Sequence, residues 1–109
     1  MPTTYKVLGQ QYPTAATATT LYTVPSTTQT VVSTIAVCNQ SATNDTVNIA
    51  IRPAGASLST THYIAFGEPI GGNSMIHITS GITLATTDVI TVLSANGTSS
   101  FSAFGSEIS

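Results

Sequence analysis

Hydrophobic and polar residues alternate along much of this chain with the period of two that is typical of a half-buried β-strand. The clearest case is the segment 46–52, in which Val47, Ile49 and Ile51 point to one side and polar or small residues to the other. Runs of this kind are separated by segments rich in Asn, Gly, Pro and Ser. The pattern predicts nine strands, near residues 5–9, 20–24, 30–38, 46–52, 62–66, 74–79, 82–85, 88–94 and 99–105.

The residue types agree with this strand pattern. Thr, Val, Ile, Tyr and Phe fit a pleated, half-buried surface, whereas long runs of the helix-forming residues Ala, Leu, Glu, Lys and Arg are missing. The sequence therefore predicts an all-β fold, an antiparallel β-sandwich of about eight short strands. Immunoglobulin-like and jelly-roll topologies need similar strands and turns, so both stay open.

The chain has the length of one domain, 109 residues, and no stretch has the composition of a linker between two cores. We assign residues 18–109 to a single β-sandwich domain. Residues 1–17 are polar and rich in turn formers, and we expect them to form an N-terminal arm or a first edge strand. An arm of this kind would become ordered when it docks on a partner.

Four turn-rich segments separate the predicted strands. The segments 39–45 and 95–98 contain Asn, and Asn96-Gly97 is a pair favoured in type I′ hairpins, so both segments predict hairpins. The segments 53–57 and 68–73 contain Pro and Gly, which interrupt a β-ladder more broadly. We expect these two to be the longer connections that change sheets.

Two predicted strands are apolar on both faces. In the segments 31–38 and 89–93, apolar residues occupy odd and even positions alike. A sandwich strand normally leaves one face to water, so an apolar outer face implies cover by an arm or loop of the same chain or by another subunit, and both alternatives stay open. Under the second alternative, the candidate interface residues are Val32, Ala36, Ile90, Val92 and Arg52.

Arg52 belongs to this set because it is one of only two cations and ends a clean strand on its polar face. We expect its guanidinium to pair with Glu68 or Asp45, within the chain or across an interface. Cys38 is the only cysteine, so the chain has no internal disulfide, and we expect a buried, inert thiol at the end of its strand.

Polarity without charge is the unusual feature of the composition. Charged residues make up 6% of the chain, whereas it contains 21 threonines and 13 serines. Charged residues usually form about a quarter of a soluble domain. A free monomer generally stays soluble through its charges, so this composition favours a surface that is covered by neighbouring subunits over one that is solvated by hydroxyls alone.

The charge balance also excludes classes of partner. With two basic residues and a formal net charge of −2, the chain lacks the basic patch that nucleic acids and anionic membranes require. No apolar run approaches the roughly 20 residues of a membrane span, and the first residues lack the basic and apolar regions of a signal peptide. We therefore expect a soluble protein made in the cytoplasm.

The sequence offers little equipment for catalysis. Nucleophilic catalysis needs a histidine beside a Ser or Cys, but His62 and His77 both lie on predicted strands and no G-x-S-x-G elbow occurs. The histidines and Cys38 do not have a zinc spacing, and the four acidic residues are too widely spaced for a calcium loop. Gly71-Gly72 is not followed by the Lys-Ser/Thr pair of a phosphate loop. We expect a protein that is not an enzyme, with no catalytic residue, cofactor or metal.

Six short runs, spread over nearly all of the chain from residue 18, carry a family resemblance. They are ATTLYTVP at 18–25, VVSTIAVCN at 31–39, IAIRPAG at 49–55, HY at 62–63, GITLATTDVI at 81–90 and FGSEI at 104–108. In these runs the chain resembles a family of small β-sandwich virion structural proteins in cyanophages and other marine tailed phages.

The resemblance implies a non-enzymatic component of the phage particle, made in the host cytoplasm and located in the virion. The first hypothesis is a capsid decoration or cement protein, which bridges neighbouring capsomers and stabilises the particle by binding. Its partners would be further copies of itself, with a trimer favoured, and a major protein of the capsid or tail. The alternative is a tail or tail-fibre accessory module that binds a host-surface glycan or protein through its loops.

Overall fold

The computed structural model describes residues 3–79 and 81–109. In this part of the chain the fold is all-β, with nine strands and two single-turn 3-10 helices, at Pro53–Gly55 and Thr60–His62. All nine predicted strands are confirmed. They are β1 (Thr3–Gln11), β2 (Thr19–Thr23), β3 (Gln29–Asn39), β4 (Asp45–Arg52), β5 (Tyr63–Ile70), β6 (Met75–Ile78), β7 (Ile82–Leu84), β8 (Val89–Ser94) and β9 (Ser99–Ile108).

The strands form two antiparallel sheets. Sheet A has five strands in the order β1-β9-β3-β6, and β7 pairs with β3 as well. The strands β6 and β7 share one edge of β3, since Ile35–Cys38 pairs with β6 and Thr30–Val32 pairs with β7. Sheet B has four strands in the order β2-β8-β4-β5. The predicted antiparallel β-sandwich is confirmed.

The pairing of early with late strands identifies the topology. The strand β1 pairs with β9, β2 with β8, β3 with β6 and β7, and β4 with β5. The chain is thus one long hairpin, with its tip at residues 53–62, that is rolled into two sheets. This order is that of a jelly roll, which decides between the two topologies that the sequence left open.

Three of the four connections differ from prediction. Segments 39–45 and 95–98 do not form hairpins, because β3 and β9 belong to sheet A whereas β4 and β8 belong to sheet B. Segment 53–57 lies between β4 and β5, two neighbours in sheet B, so it does not change sheets. In segment 68–73, the first three residues continue β5, and the chain then crosses to β6 in sheet A as predicted. Turn residues indicate that the chain bends, but they carry no information about which sheet it enters.

The core lies between the two sheets and contains side chains from both. Its largest fully buried apolar members are Phe101, Ile35, Ile49, Ile70 and Ile90. Burial of such a side chain contributes roughly 1.5–3 kcal/mol, so the inward positions carry most of the fold's stability.

A bulge in β3 determines which of its residues face this core. The pairing of β3 with β9 shifts between Val32 and Thr34, so Ser33 is the extra residue. A bulge reverses the alternation of faces. Val32 therefore points inward before the bulge, and Ile35 and Val37 point inward after it.

The N-terminal segment is part of the sandwich. The strand β1 pairs with β9 from Thr3 to Gln11 and forms one edge of sheet A. Residues 12–18 then lead to β2 in the other sheet. Among the residues that the structure describes, no helix is both long enough and apolar enough to cross a membrane.

Candidate functional site

Three of the five predicted interface residues lie in the core. Val32, Ile90 and Val92 have no exposed surface, and they pack between the sheets. Their assignment to an outer face was wrong, because the Ser33 bulge turns Val32 inward and because Ile90 and Val92 occupy the inner face of β8. Ala36 and Arg52 are only partly buried, so their role in an interface stays a prediction.

The outer face of β8 is covered by the same chain. Val89 and Thr91 are buried there. The guanidinium of Arg52 donates hydrogen bonds to Thr91 Oγ1 at 3.5 Å and to the Gly55 carbonyl at 3.3 Å. A Cβ atom built on Gly55 would lie 3.8 Å from Val89 Cγ2, so the turn at 53–55 rests on this strand. For β8, the cover is a loop rather than a required second subunit.

The expected ion pair of Arg52 is absent. Across residues 3–79 and 81–109, the single salt bridge joins Lys6 Nζ to Glu107 Oε1 at 3.2 Å. The predicted partner Asp45 is buried on the inner side of β4, whereas Arg52 lies on the outer side. The prediction that Arg52 pairs with Glu68 or Asp45 was therefore wrong for the single chain.

The outer face of sheet A is a surface that carries exposed side chains on β1, β9 and β6. Strand partners that lie opposite one another share a face, which defines the members of this surface. Side-chain hydrogen bonds such as Gln10 Nε2 to Ser102 Oγ, at 3.3 Å, agree with this assignment. We call it the neutral face, and it consists of Thr3, Tyr5, Val7, Gln10, Gln29, Val31, Thr34, Ala36, Cys38, Met75, His77, Thr83, Ser100, Ser102, Phe104, Ser106 and Ile108.

The neutral face combines hydroxyl groups with exposed apolar side chains. Its members are apolar, aromatic, hydroxyl and amide side chains, one imidazole and one thiol. Tyr5 is 83% exposed, Met75 53%, Val7 48% and Phe104 38%. Grouped apolar side chains of this kind on one face are typical of a surface that becomes covered in an assembly.

The charges nearest to the neutral face point away from it. Lys6 and Glu107 project toward the inner side of sheet A, where Glu107 also accepts a 2.5 Å hydrogen bond from the Tyr22 hydroxyl. This bond lowers the pKa of Glu107 despite partial burial, and the Lys6 ammonium lowers it further. Burial, together with the Glu107 carboxylate, raises the pKa of Tyr22 to about 12.

A buried carboxylate joins the sheets at the opposite end of the sandwich. Asp45 accepts hydrogen bonds from the hydroxyls of Ser94 at 2.5 Å and Ser99 at 2.6 Å. It also accepts backbone N–H bonds from Thr46 at 2.8 Å and Asn96 at 2.9 Å. Burial alone would raise the pKa of Asp45, but these four bonds outweigh it and hold the pKa below its ordinary value. All of these interactions stabilise the ionised side chain, so we assign the group a structural role.

Asn39 completes this closure of the sandwich end. Its side-chain amide donates to the carbonyls of Thr43 at 2.8 Å and Gly71 at 3.2 Å. Its Oδ1 accepts from Ser41 N at 3.1 Å and from Thr98 Oγ1 at 3.0 Å. Asn39 and Asp45 together hold three of the connections that cross between the sheets at this end. We call these two side chains and their partners the polar closure.

The residues considered for metal or nucleophilic chemistry are dispersed. His62 Nδ1 accepts the Ser59 backbone N–H at 3.2 Å and so closes the Thr60–His62 turn. His77 and Cys38 lie on the neutral face, opposite Ala36 and Met75 respectively. The Cys38 thiol is exposed, so the expectation of a buried thiol was wrong. In the described part of the chain, no group of three or more His, Cys, Asp or Glu residues is arranged to hold a metal ion.

The neutral face was not identified from the sequence. The sequence did contain one indication of it: Tyr5 and Val7 are two residues apart, as are Ser102 and Phe104, so each pair is expected to lie on one face of its strand. Its position became visible only once the bulges at Leu8 and Ser33 were known, since they reverse the alternation within β1 and β3.

Comparisons with known proteins place no further constraint on the site. No protein-family model, no curated protein and no solved structure matches this chain.

Proposed function

We propose that this chain is a non-enzymatic structural protein of a bacteriophage particle, and that it decorates the capsid and stabilises the shell by binding. The observation that carries the proposal is the neutral face, where Tyr5, Val7, Met75 and Phe104 project among hydroxyl side chains. In this proposal the face is covered when the protein is assembled in the virion.

The free-energy cost of removing water favours burial of the neutral face over burial of a charged surface. Burying an unpaired charge costs far more than burying a hydroxyl or a methyl group. A sheet surface of Ser, Thr and apolar residues therefore loses little when water leaves it and gains from the burial of its apolar side chains. The charged side chains described above lie elsewhere: Arg52 on sheet B, Lys6 and Glu107 toward the inner side, and Asp45 in the polar closure.

Two further points support a particle component. The sequence resembles small virion structural proteins of marine tailed phages in six runs. The jelly roll is an architecture of viral capsid and lectin domains, although fold alone does not assign a function. In this proposal the protein acts by linkage, since a subunit that binds only the closed shell stabilises it in proportion to its binding free energy.

The partners in this proposal are other copies of the chain and a major virion protein. The proposal includes neither nucleic acid nor a membrane as a partner, because Lys6 and Arg52 are the only cations in the sequence and both make hydrogen bonds within the chain. The site of action is the virion, after synthesis in the host cytoplasm.

Copy number in purified particles tests this function. Decoration of a symmetric shell predicts on the order of hundreds of copies, measured by quantitative mass spectrometry against the major capsid protein. A count of about a dozen or fewer would exclude decoration and indicate a tail component, because tails and fibres have low-order symmetry.

A second surface favours the alternative function, a tail or fibre module that binds the host surface. Phe66 on the edge strand β5 is 73% exposed, and its ring meets that of Tyr63 edge to face with centroids 4.9 Å apart. Ile64 and Leu58 are exposed on the same strand and on the adjoining tip at 53–62. Exposed aromatic rings are suited to stacking on sugars or to docking on proteins.

Glycan-array binding of the purified protein distinguishes this alternative. If the β5 surface recognises host glycans, the wild-type protein will bind a defined glycan class and Phe66→Ala will lose that binding. Phe104→Ala, on the neutral face, is the matched control and should leave such binding unchanged. Absence of binding to any glycan removes the glycan-binding form of this alternative.

A further inference from the structure

We propose that the neutral face packs against the neutral face of a second copy of this chain, so that the protein forms a two-fold symmetric dimer through sheet A. This inference names the partner of the surface on which the proposed function depends, and to that extent it rests on the proposed function.

Electrostatic matching favours a second copy over an unrelated partner. The side chains of this face offer no permanent charge to which a charged partner surface could be complementary. Any charge that a partner placed against it would lose its hydration without gaining an opposite charge. An identical face places no charge against this one. Its Ser and Thr hydroxyls can each donate and accept hydrogen bonds across the interface.

The available area is close to what a stable dimer needs. The four strand positions of sheet A, spaced about 4.8 Å apart, and strands of about nine residues give a face of roughly 19 by 30 Å. Two such faces would bury on the order of 1,200 Å² in total, at the lower end of the range for specific interfaces. We therefore expect a reversible dimer with a Kd in the micromolar range, on the order of 1–10 µM.

The apolar side chains are distributed across this area. Tyr5 and Val7 lie on β1 at one edge of sheet A, Phe104 lies on β9 next to it, and Met75 lies on β6 at the other edge. Sheets that pack face to face lie about 10 Å apart and interdigitate side chains of this size. A partner that contacted only the β1 edge would leave Met75 in water, and one that contacted only the β6 edge would leave Tyr5 and Val7 in water.

The symmetry follows from the use of one face by both partners. When a patch contacts the same patch on its partner, the interface is isologous and closes with two copies. A trimer, which we expected from the sequence, needs two different patches on each subunit. The structure offers one broad face of this kind among the described residues, so we infer a dimer as the self-assembled unit.

Matched lysine substitutions test the dimer in the purified full-length protein. Val7 on the neutral face and Ile64 on the β5 surface are both on edge strands, and they are 48% and 45% exposed. In sedimentation equilibrium, the wild type and Ile64→Lys should fit a monomer–dimer equilibrium that approaches twice 11.1 kDa. Val7→Lys should weaken self-association at least about tenfold, because its ammonium would be buried without a partner.

Met75→Lys is a second variant at the opposite edge of the same face, and it should weaken the dimer as well. Circular dichroism and thermal melting identify any variant that fails to fold. A wild type that remains monomeric at about 100 µM, well above the expected Kd, overturns the inference. A trimer overturns it too, as does equal weakening by Ile64→Lys and the neutral-face variants in folded protein.

The outcome separates this inference from the proposed function, because the solution assay contains no particles. A monomer that is still present in hundreds of copies per virion overturns the dimer and leaves decoration intact. A dimer that is absent from purified virions overturns decoration and leaves the dimer interface intact.

Discussion

Val7 and Phe104 lie directly opposite one another on β1 and β9, and both side chains remain exposed on the neutral face. They sit beside two bulges, since β1 shifts register at Leu8 and β3 shifts register at Ser33. The apolar pair therefore lies where the alternation of both neighbouring strands changes. The strand β9 has no bulge of its own, so plain alternation places Phe104 on the outer face and Phe101, three residues earlier, in the core.

The two phenylalanines of β9 should separate folding from assembly. Phe101→Ala removes a fully buried ring and should lower the free energy of unfolding by about 3–5 kcal/mol in urea denaturation. Phe104→Ala should cost less than about 1 kcal/mol, because its ring is already partly in water, but it should reduce incorporation into particles. Equal loss of stability in both variants would show that Phe104 has a core role.

The polar closure should be sensitive to loss of its carboxylate. Asp45 is buried, and its carboxylate accepts hydrogen bonds from hydroxyl and backbone N–H groups. The substitution Asp45→Ala leaves these donors without a hydrogen-bond partner. We expect a loss on the order of 3 kcal/mol in unfolding free energy, and a smaller loss for Asp45→Asn, whose Oδ1 can still accept two N–H bonds. A control at an exposed site on the same strand, Thr46→Ala, should change stability by less than about 0.5 kcal/mol. Wild-type stability in Asp45→Ala would contradict this account of the closure.

Acid should destabilise the fold through the same carboxylate. The pKa of Asp45 and that of Glu107 are both lowered in the folded protein. Their contribution to stability is therefore complete above the unfolded pKa values, about 3.9 and 4.3, and is lost as the pH falls through the folded values. Urea unfolding should give a nearly constant free energy from about pH 5 to 7 and a decline below about pH 4. The decline should be shallower in Asp45→Asn, and an unchanged slope in that variant would contradict the assignment.

Alkali should act through Tyr22. Its folded pKa of about 12 lies above the ordinary value of 10.0, so the stability it contributes is complete below pH 10 and is lost as the pH rises toward 12. Tyr22→Phe should remove this part of the alkaline decline and should cost roughly 1–2 kcal/mol at pH 7, because Glu107 and Thr30 lose a hydrogen-bond partner. The exposed Tyr12→Phe is the control and should keep the wild-type profile. If the two variants show the same alkaline profile, the Tyr22–Glu107 bond does not account for the decline.

The bulge in β3 should require glycine on the neighbouring strand. Gly105 pairs with Val32 beside the bulge, and a Cβ atom at Gly105 would clash with the Val31 carbonyl oxygen. Gly105→Ala should destabilise the protein by about 2 kcal/mol or more, measured by thermal or urea unfolding. Gly71→Ala is the control, because its nearest neighbour would be the flexible Ser74 hydroxyl at 3.3 Å. A tolerated Gly105→Ala would show that the register shift can relax.

The alternation of apolar and polar residues was sufficient to predict where the strands lie, but it did not predict which face of each strand is buried. Segment 46–52 keeps its alternation, and Val47 and Ile49 point into the core as predicted. In β3 the extra residue Ser33 exchanges the two faces, which is why Val32 was assigned outward. Cys38 was expected to be buried because it ends a strongly apolar strand, but it lies on the outer face and is exposed. A bulge has no distinctive residue type here, so it cannot be read from the alternation alone.

The local sequence pattern also could not predict which distant segments of the chain contact one another. Asn96-Gly97 resembles a hairpin turn, yet Asn96 N donates to Asp45 in a connection that changes sheets. The roles of Asp45 and Asn39 depend on partners up to 59 residues away in the chain, so no spacing in the sequence indicates them. The surface without charge, by contrast, was anticipated from composition, and the structure adds which face of which sheet carries it.

Thiol labelling of Cys38 in intact particles measures whether the neutral face is covered there, because this single cysteine is exposed on the neutral face of the isolated chain. A membrane-impermeant maleimide is applied to purified virions, and labelled peptide is quantified against virions denatured before labelling and against monomeric Val7→Lys protein. If the neutral face is covered in the assembled particle, labelling in intact virions will be at least about tenfold slower than in either reference, because the reagent reaches the thiol only when the interface opens. Labelling of intact virions at the rate of the free monomer would contradict the claim that this face is the assembly surface.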